Sequence, residues 1–189
     1  MATVTPSRPS VFNVPNLLTT ARLVLGIFLF GLIEFEQWIA CLAVFALAAV
    51  TDWLDGYLAR KQGLTSTLGR NLDPLVDKVV ICGAFIFLLR NPNAGVVPWM
   101  VTVVVARELI ITSLRSFLEN VGATFGADWL GKIKMVLQCG ALFAIFIALE
   151  WPADALSWTR DGFIYAMLAA TALSGLQYLW RAYALVRWE

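Results

Sequence analysis

Four aspartates stand in two pairs on either side of a short polar stretch. Their positions are Asp52 and Asp55, then Asp73 and Asp77. On an α-helix, residues three or four apart lie on the same face, so each pair presents two carboxylates in one direction. Carboxylate oxygens are the ligands that Mg²⁺ and Mn²⁺ prefer, and bound divalent ions attract phosphate oxygens. The spacing therefore predicts a site for hard divalent cations that acts on a phosphorylated substrate.

The residues around these pairs suit the same kind of site. Gly56 and Ala59 are small, which lets a bulky ligand approach the helix, although close packing of two helices also favours small residues. Arg60 carries a guanidinium that can pair with a phosphate, and Gly69 is a turn residue or a ligand contact at the start of the next helix. The chain has no histidine, so a general base must be a carboxylate, lysine, tyrosine or water. Among these, Asp77 is the natural candidate.

A second group of charges lies in the C-terminal half of the chain. Arg107 and Arg115 stand late in one apolar stretch, and Lys132 and Lys134 stand early in the next. Basic residues commonly flank membrane helices on the cytoplasmic side, and this explains either lysine taken singly. Arg107, however, is embedded among valines and isoleucines. We therefore expect the four cations to form a second pocket for an anion, with Glu108 as a partner of one arginine.

The composition places these charges in a membrane protein. Hydrophobic residues make up 60% of the 189 residues and charged residues 14%, and the mean hydropathy is +0.76. Apolar stretches of about the 20 residues that a spanning helix needs predict an all-α integral membrane protein with six transmembrane helices, at 17–33, 38–58, 72–89, 96–118, 130–149 and 162–185. Short loops are expected between them, the last over 150–161. We expect a flexible tail over residues 1–12 and a single domain over 13–189.

Alternating helix directions bring most of the charges to one face of the bilayer. The aspartate pairs, Arg22 and the second cation group all stand at helix ends that meet there. Of the fourteen lysines and arginines, only Arg90 and Arg160 fall at the other end. The positive-inside rule makes the charged face cytoplasmic, with both termini on that side. We therefore expect the active site at the cytoplasmic ends of the helices, in the inner (cytoplasmic) membrane of the cell.

The pattern Asp-x2-Asp-Gly-x2-Ala-Arg-x8-Gly-x3-Asp-x3-Asp, which ends at Asp77, resembles the signature of the CDP-alcohol phosphotransferase family, and every fixed position is filled. The resemblance implies that the four aspartates hold two metal ions, Mg²⁺ or Mn²⁺, and that Asp77 also activates the hydroxyl of the acceptor. It further implies a homodimer. Contacts with the CDP moiety are expected from the small and basic residues of the motif, Gly56, Ala59, Arg60 and Gly69.

Three further segments, 13–22, 106–115 and 129–134, resemble the bacterial members of this family that use glycerol 3-phosphate as acceptor. The resemblance implies the reaction of CDP-diacylglycerol with glycerol 3-phosphate to give phosphatidylglycerol phosphate and CMP. Asn16 and Thr19 are candidates for the nucleotide side of the site, although helix capping explains Asn16 almost as well. Asp128 and Met135 depart from the residues common at their positions, which leaves the acceptor contacts at that corner open.

Other interpretations remain open at this point. Within the family, the acceptor is alternatively inositol phosphate, serine or phosphatidylglycerol. Outside it, a cation transporter also places carboxylates in membrane helices, but near the midplane rather than at helix ends. A prenyl transferase would show a compact Asp-Asp-x-x-Asp run, which is absent here. With a formal net charge of +1, no nucleic-acid partner is expected.

Overall fold

The computed structural model describes residues 14–62, 67–120 and 129–186, with side chains placed at 17, 19–51, 75–118 and 129–183. Within these ranges all regular structure is helical, which confirms the predicted all-α class. A 3₁₀ turn (Pro92–Ala94) accompanies six helices: α1 (Val14–Glu34), α2 (Trp38–Gln62), α3 (Thr67–Leu88), α4 (Pro98–Asn120), α5 (Trp129–Glu150) and α6 (Asp154–Val186). The tail predicted over residues 1–12 lies outside the described residues.

The last helix begins earlier than the sequence predicts. We expected a loop over 150–161, but α6 starts at Asp154 and runs for 33 residues, about 50 Å at 1.5 Å per residue. The loop prediction was wrong because the polar side chains of this segment are accommodated within a helix. Thr159 Oγ1 donates to the Ala155 carbonyl at 2.8 Å. Arg160 donates to Asp161 and to the carbonyl of Asn93.

The six described helices form a closed ring. The order around the ring is α1, α2, α5, α6, α4 and α3, which returns to α1, and α5 also touches α3 across the interior. Buried aliphatic and aromatic side chains fill the centre, among them Leu29, Phe45, Phe85, Leu142, Ile145 and Phe146. The Phe45 ring lies 4.9 Å from that of Phe143, which ties α2 to α5. Each helix is thereby held against two neighbours.

A glycine brings α1 close to α3. A Cβ at Gly26 would lie 2.5 Å from Cγ2 of Val80, so a larger residue there would force the two helices apart. Arg22 stands one helical turn before Gly26, and Asp77 one turn before Val80. The close approach therefore sets the distance between these two charged side chains.

The molecule carries its apolar side chains outside as well as inside. Large hydrophobic residues are exposed along the outer faces of the helices, including Val24, Ile27, Phe28, Leu109, Ile110, Leu173, Leu176 and Leu179. Several polar and charged residues are buried instead: Thr19, Arg22, Glu108, Lys134, Gln138, Thr171 and Ser174. In a soluble domain, charged residues are mostly on the surface. Among the described residues, Trp129–Glu150 and Asp154–Tyr183 are long and apolar enough to cross a membrane.

Polar contacts distinguish the two ends of the ring. At one end, the beginnings of odd-numbered helices lie beside the ends of even-numbered ones, and below this level Lys134 in the first half of α5 contacts Glu108 near the middle of α4. At the other end, Arg90 pairs with Glu34, and Asn91 donates to Glu36 at 3.2 Å. The alternating arrangement therefore brings the predicted functional charges that are described to a common end.

Candidate active site

The predicted base, Asp77, is held by an arginine from another helix. Arg22 Nη1 donates to Asp77 Oδ1 at 2.8 Å, and the pair links α1 with α3. The Arg22 side chain is only 3% exposed, whereas that of Asp77 is 22% exposed. Asp77 therefore has a fixed orientation together with access to solvent or a ligand.

Both side chains line a cavity of about 290 Å³ between α1, α2, α3 and α5. Apart from Arg22 and Asp77 its walls are mainly apolar, formed by Phe45, Ala48, Ala49, Val80, Ile81, Met135, Val136 and Cys139. The cavity separates α2 from α3 at the level of Asp77. It can take a ligand with a polar group at Asp77 and an apolar group along the remaining wall.

Of the four aspartates predicted to bind metal, the structure describes the side chain of Asp77 alone. Asp52, Asp55 and Asp73 stand in α2 and α3 but lie outside the described side chains. Within the described part of the chain, no three histidine, cysteine, aspartate or glutamate residues are close enough to hold a metal ion. Asp77 faces the cavity that Ala48 and Ala49 of α2 also line, so a carboxylate site that includes Asp77 would face α2.

The residues predicted to contact CDP are placed only in part. Thr19 is buried on α1, one helical turn before Arg22. The remaining candidates lie outside the described side chains: Asn16, Gly56, Ala59, Arg60 and Gly69. The position of Thr19 puts it on the helix that carries Arg22 to the cavity.

A buried cluster of charges joins α4 to α5. Lys134 Nζ donates to Glu108 Oε1, and both side chains are nearly inaccessible to solvent. Arg107 Nη1 approaches the same carboxylate oxygen at 3.3 Å. Two of the predicted acceptor-site cations are therefore brought together around one acidic residue, as expected for Glu108.

Helix α6 completes this cluster. Arg107 Nη2 donates to Ser174 Oγ at 3.0 Å, and Arg115 Nη2 donates to the hydroxyl of Tyr178. The Tyr178 ring also lies close to both guanidinium groups, 6.0 Å from Arg107 Cζ and 5.5 Å from Arg115 Cζ. The sequence alone indicates no role for this helix, because neutral polar residues in an apolar helix give no distinctive pattern.

Lys78 is a further member of the cluster, and it was not predicted from the sequence. It follows Asp77 on α3, and its Nζ donates to Thr112 Oγ1 on α4. The Thr112 hydroxyl in turn donates to the Glu108 carbonyl at 2.6 Å. Lys78 directly follows Asp77, the last aspartate of the sequence motif, and this position could have identified it as a candidate. Lys78 connects the cavity side of α3 to the cation cluster.

The structure does not bring Lys132 into this cluster. Lys132 is exposed, and its Nζ lies 6.0 Å from the ring centroid of Trp129. Residues two apart on an α-helix point in nearly opposite directions, so Lys132 and Lys134 occupy different faces of α5. Of the four cations that were expected to form one group, the structure therefore brings together Arg107, Arg115 and Lys134.

The cluster carries more positive than negative charge. Its cations are Lys78, Arg107, Arg115 and Lys134, and among the described side chains its one carboxylate is Glu108, which pairs with Arg107 and Lys134. Four cations against one carboxylate leave three formal positive charges. Lys134 and Glu108 are buried, Lys78 and Arg107 are partly buried and Arg115 is exposed, and charges withdrawn from water are costly unless they are paired. The cluster is therefore suited to binding an anion with more than one charge, such as a phosphate.

The sequence matches one protein family over nearly its whole length. The profile of the family described as CDP-alcohol phosphatidyltransferase matches residues 12–186. A CDP-diacylglycerol--glycerol-3-phosphate 3-phosphatidyltransferase of Bacillus subtilis is 35% identical, over 89% of this chain and 94% of its own. The protein of the same name from Sodalis glossinidius is 33% identical, over 90% of this chain and 94% of its own.

A solved structure shares the fold. The phosphatidylinositol phosphate synthase of Mycobacterium tuberculosis, crystallised with CDP-DAG bound, superposes with a TM-score of 0.68. The match covers 92% of this chain and 88% of the other, at 16% sequence identity. At this identity the likeness concerns the arrangement of the helices.

Proposed function

The chain belongs to the CDP-alcohol phosphatidyltransferase family, and from that premise we propose that it transfers a phosphatidyl group from CDP-diacylglycerol to glycerol 3-phosphate. The products are phosphatidylglycerol phosphate and CMP. The names of the relatives from Bacillus subtilis and Sodalis glossinidius support this choice of substrates. The chain is accordingly a transferase of phospholipid biosynthesis.

The excess positive charge beside Asp77 is the observation that carries the choice of acceptor. Asp77 and Lys78 are adjacent on α3, and Lys134 and Met135 are adjacent on α5, so the cavity and the cation cluster lie at the same level. Glycerol is uncharged and serine has no net charge, so neither acceptor needs such an excess of positive charge. An acceptor with its own phosphate would be held by the cluster while its hydroxyl reaches Asp77.

The cavity suits the donor. The apolar wall formed by α2, α3 and α5 offers a surface for acyl chains, while the polar end at Arg22 and Asp77 receives the phosphate-bearing part. Asp77 then takes the proton from the acceptor hydroxyl as that oxygen attacks the phosphorus of the phosphatidyl group, and CMP leaves. Arg22 fixes the carboxylate through its bond to Oδ1.

A divalent metal ion, the kind of cofactor this family uses, fits the donor set. Because residues three or four apart on a helix share a face, we expect Asp52 and Asp55 on the same side of α2 as Ala48, and Asp73 on the same side of α3 as Asp77. Asp52, Asp55, Asp73 and Asp77 would hold two ions, Mg²⁺ or Mn²⁺. Bound there, the ions would neutralise the charge of the pyrophosphate and stabilise the leaving phosphate. Gly56, Ala59, Arg60 and Gly69 would contact the CDP moiety.

The distribution of side chains supports a multi-pass membrane protein. An apolar exterior around buried charges is favourable in lipid, where charged residues are placed towards the interior of a helix bundle. We infer six spans, with the end that contains Arg22, Asp77 and Lys134 in the cytoplasm and the protein in the inner membrane. Assembly as a homodimer stays a prediction.

An acceptor panel tests the proposal. We expect the purified protein to use glycerol 3-phosphate far better than glycerol, serine or inositol phosphate, measured with radiolabelled acceptors. Arg115→Ala should lower kcat/KM for glycerol 3-phosphate about ten- to a hundredfold, because hydrogen bonds to charged groups contribute about 1.5–3 kcal/mol each. Lys132→Ala, at an exposed lysine outside the cluster, is the matched control and should have little effect.

Two results would contradict the choice of acceptor. One is a preference for inositol phosphate, which the cluster could also bind and which would agree with the product named for the structural neighbour. The other is an equal loss of activity with every acceptor in Arg115→Ala. In that case the cations are membrane-flanking residues and the family assignment alone stands.

A further inference from the structure

Tyr178 contacts two like-charged side chains at once. It is 4% exposed, it accepts a hydrogen bond from Arg115 Nη2 through its hydroxyl, and its ring lies within 6.0 Å of the Arg107 and Arg115 guanidinium carbons. A cation at this distance from an aromatic ring is attracted by the negative face of the ring. One residue of α6 therefore constrains two arginines that stand two helical turns apart on α4.

Ser174, one turn earlier on α6, constrains Arg107 from another direction. Its hydroxyl donates to the Thr171 carbonyl at 3.1 Å, so the oxygen is oriented to accept from Arg107 Nη2 at 3.0 Å. The next residue is Gly175, where a Cβ would lie 3.4 Å from Arg107 Cγ. The absence of a side chain there leaves room for the stem of the arginine to lie across α6.

These contacts orient the arginines without neutralising them. A hydroxyl and an aromatic ring are uncharged, whereas a carboxylate in the same place would cancel one positive charge and compete with an incoming anion. Glu108 is the carboxylate of the cluster, and its contacts are with Lys134 and Arg107. Among the described side chains no carboxylate pairs with Arg115, which is held by Tyr178, so its charge is available to a ligand.

We propose that Tyr178 and Ser174 are positioning residues that hold Arg115 and Arg107 for the acceptor's phosphate, so that α6 determines the affinity for the acceptor. This inference rests on the proposed function. Both residues act through the arginines and neither is placed at the reacting atoms. Their loss should therefore affect acceptor binding and leave the donor site and the chemical step unchanged.

Tyr178→Phe removes the hydroxyl and keeps the ring. We expect the KM for glycerol 3-phosphate to rise about three- to tenfold, as for the loss of one hydrogen bond, with kcat and the KM for CDP-diacylglycerol unchanged. Tyr178→Leu removes the ring as well and should raise the KM further. Tyr183→Phe is the matched control, since Tyr183 lies exposed on the same helix, and it should leave all three constants unchanged.

Ser174→Ala provides an independent test if a Tyr178 variant fails to fold, and it should raise the same KM. A general packing defect would instead lower kcat or raise both KM values, and this outcome would overturn the proposal. So would unchanged acceptor affinity in Tyr178→Phe and Ser174→Ala while Arg115→Ala retains its acceptor-specific effect. If Arg115→Ala shows no such effect, the proposed acceptor site itself is wrong.

Discussion

Asp77 accepts a hydrogen bond at Oδ1 from the buried guanidinium of Arg22, and this contact affects how it could act in the proposed role of base. An ion pair of this kind restricts rotation of the carboxylate, so that the group meets the acceptor hydroxyl in a defined orientation. The side chain of Arg22 is 3% exposed, so its charge requires a nearby anion in the folded protein. The residue that we propose as the base therefore also balances a charge in the interior.

Replacement of the aspartates by asparagine separates their roles. Asp77→Asn keeps an oxygen for Arg22 but cannot take a proton, so turnover should be abolished while much of the binding of CDP persists. Asp52→Asn, Asp55→Asn and Asp73→Asn should each weaken binding of Mn²⁺ and of CDP. Isothermal titration with both ligands, beside a turnover assay, measures the difference.

An equal collapse of CDP affinity in all four variants would assign Asp77 to metal binding and remove it as the base. Excess chelator should abolish turnover of the parent protein, because the pyrophosphate charge is then unbalanced. Full activity in chelator would contradict the metal-dependent mechanism.

At the scale of residues, the sequence predicts charged groups better than neutral ones. Arg107 was singled out because a charge within an apolar stretch is conspicuous, Arg115 and Lys134 were grouped with it, and the structure brings these three side chains together. Ser174 and Tyr178 were missed because a hydroxyl on an apolar helix has no distinctive pattern. Their contribution depends on which face of α6 meets α4, and a single sequence does not specify that pairing.

Among the helices, the contact of α1 with α3 controls the geometry of the Arg22–Asp77 pair. A side chain at Gly26 would meet Val80, a buried and β-branched residue with little freedom to move. The helices would have to separate, and Arg22 stands one turn away from that point. Helix spacing and the position of the base are therefore coupled.

Gly26→Leu should lower the free energy of unfolding by about 1–3 kcal/mol, the usual cost of overpacking a well-packed core. It should also reduce turnover, because the separation moves Arg22 away from Asp77. Gly31→Leu is the matched control on the same helix, since a Cβ at Gly31 meets nothing within 4 Å. Thermal unfolding in detergent and a turnover assay measure both effects, and equal behaviour of the two variants would refute the coupling.

Helix boundaries were predicted well where apolar residues continue and poorly where they stop. The stretch before Gly162 contains Asp154, Thr159, Arg160 and Asp161, and it was interpreted as a loop for that reason. In the structure Arg160 reaches across to the Asn93 carbonyl of another connection, a contact between residues 67 apart in the chain. Local polarity could not indicate a partner so distant in sequence.

Across the whole molecule, the distribution of polar and apolar side chains determines where the reaction can take place. CDP and glycerol 3-phosphate are soluble in water, whereas diacylglycerol is soluble in lipid. A cavity with Asp77 at its polar end and an apolar wall towards Val136 meets both kinds of substrate at one end of the ring. A reaction between a lipid and two water-soluble groups is possible there without moving any of them through the bilayer.

The membrane orientation can be tested with single cysteines at the first residue of α5 and the first residue of α6. Trp129 is exposed at the start of α5, at the end of the ring that contains Lys134, and Asp154 is exposed at the start of α6 at the opposite end. The 22 residues of α5 separate them by about 33 Å, close to the thickness of the hydrocarbon core.

In intact cells, an impermeant thiol reagent should label Asp154→Cys, while Trp129→Cys should react only after the membrane is opened. The native cysteines, Cys41, Cys82 and Cys139, are first replaced by serine or alanine, and this background without added cysteines is the control. Labelling of both positions in intact cells would contradict a membrane-spanning α5, and labelling of Trp129→Cys alone would invert the orientation and place the active site outside.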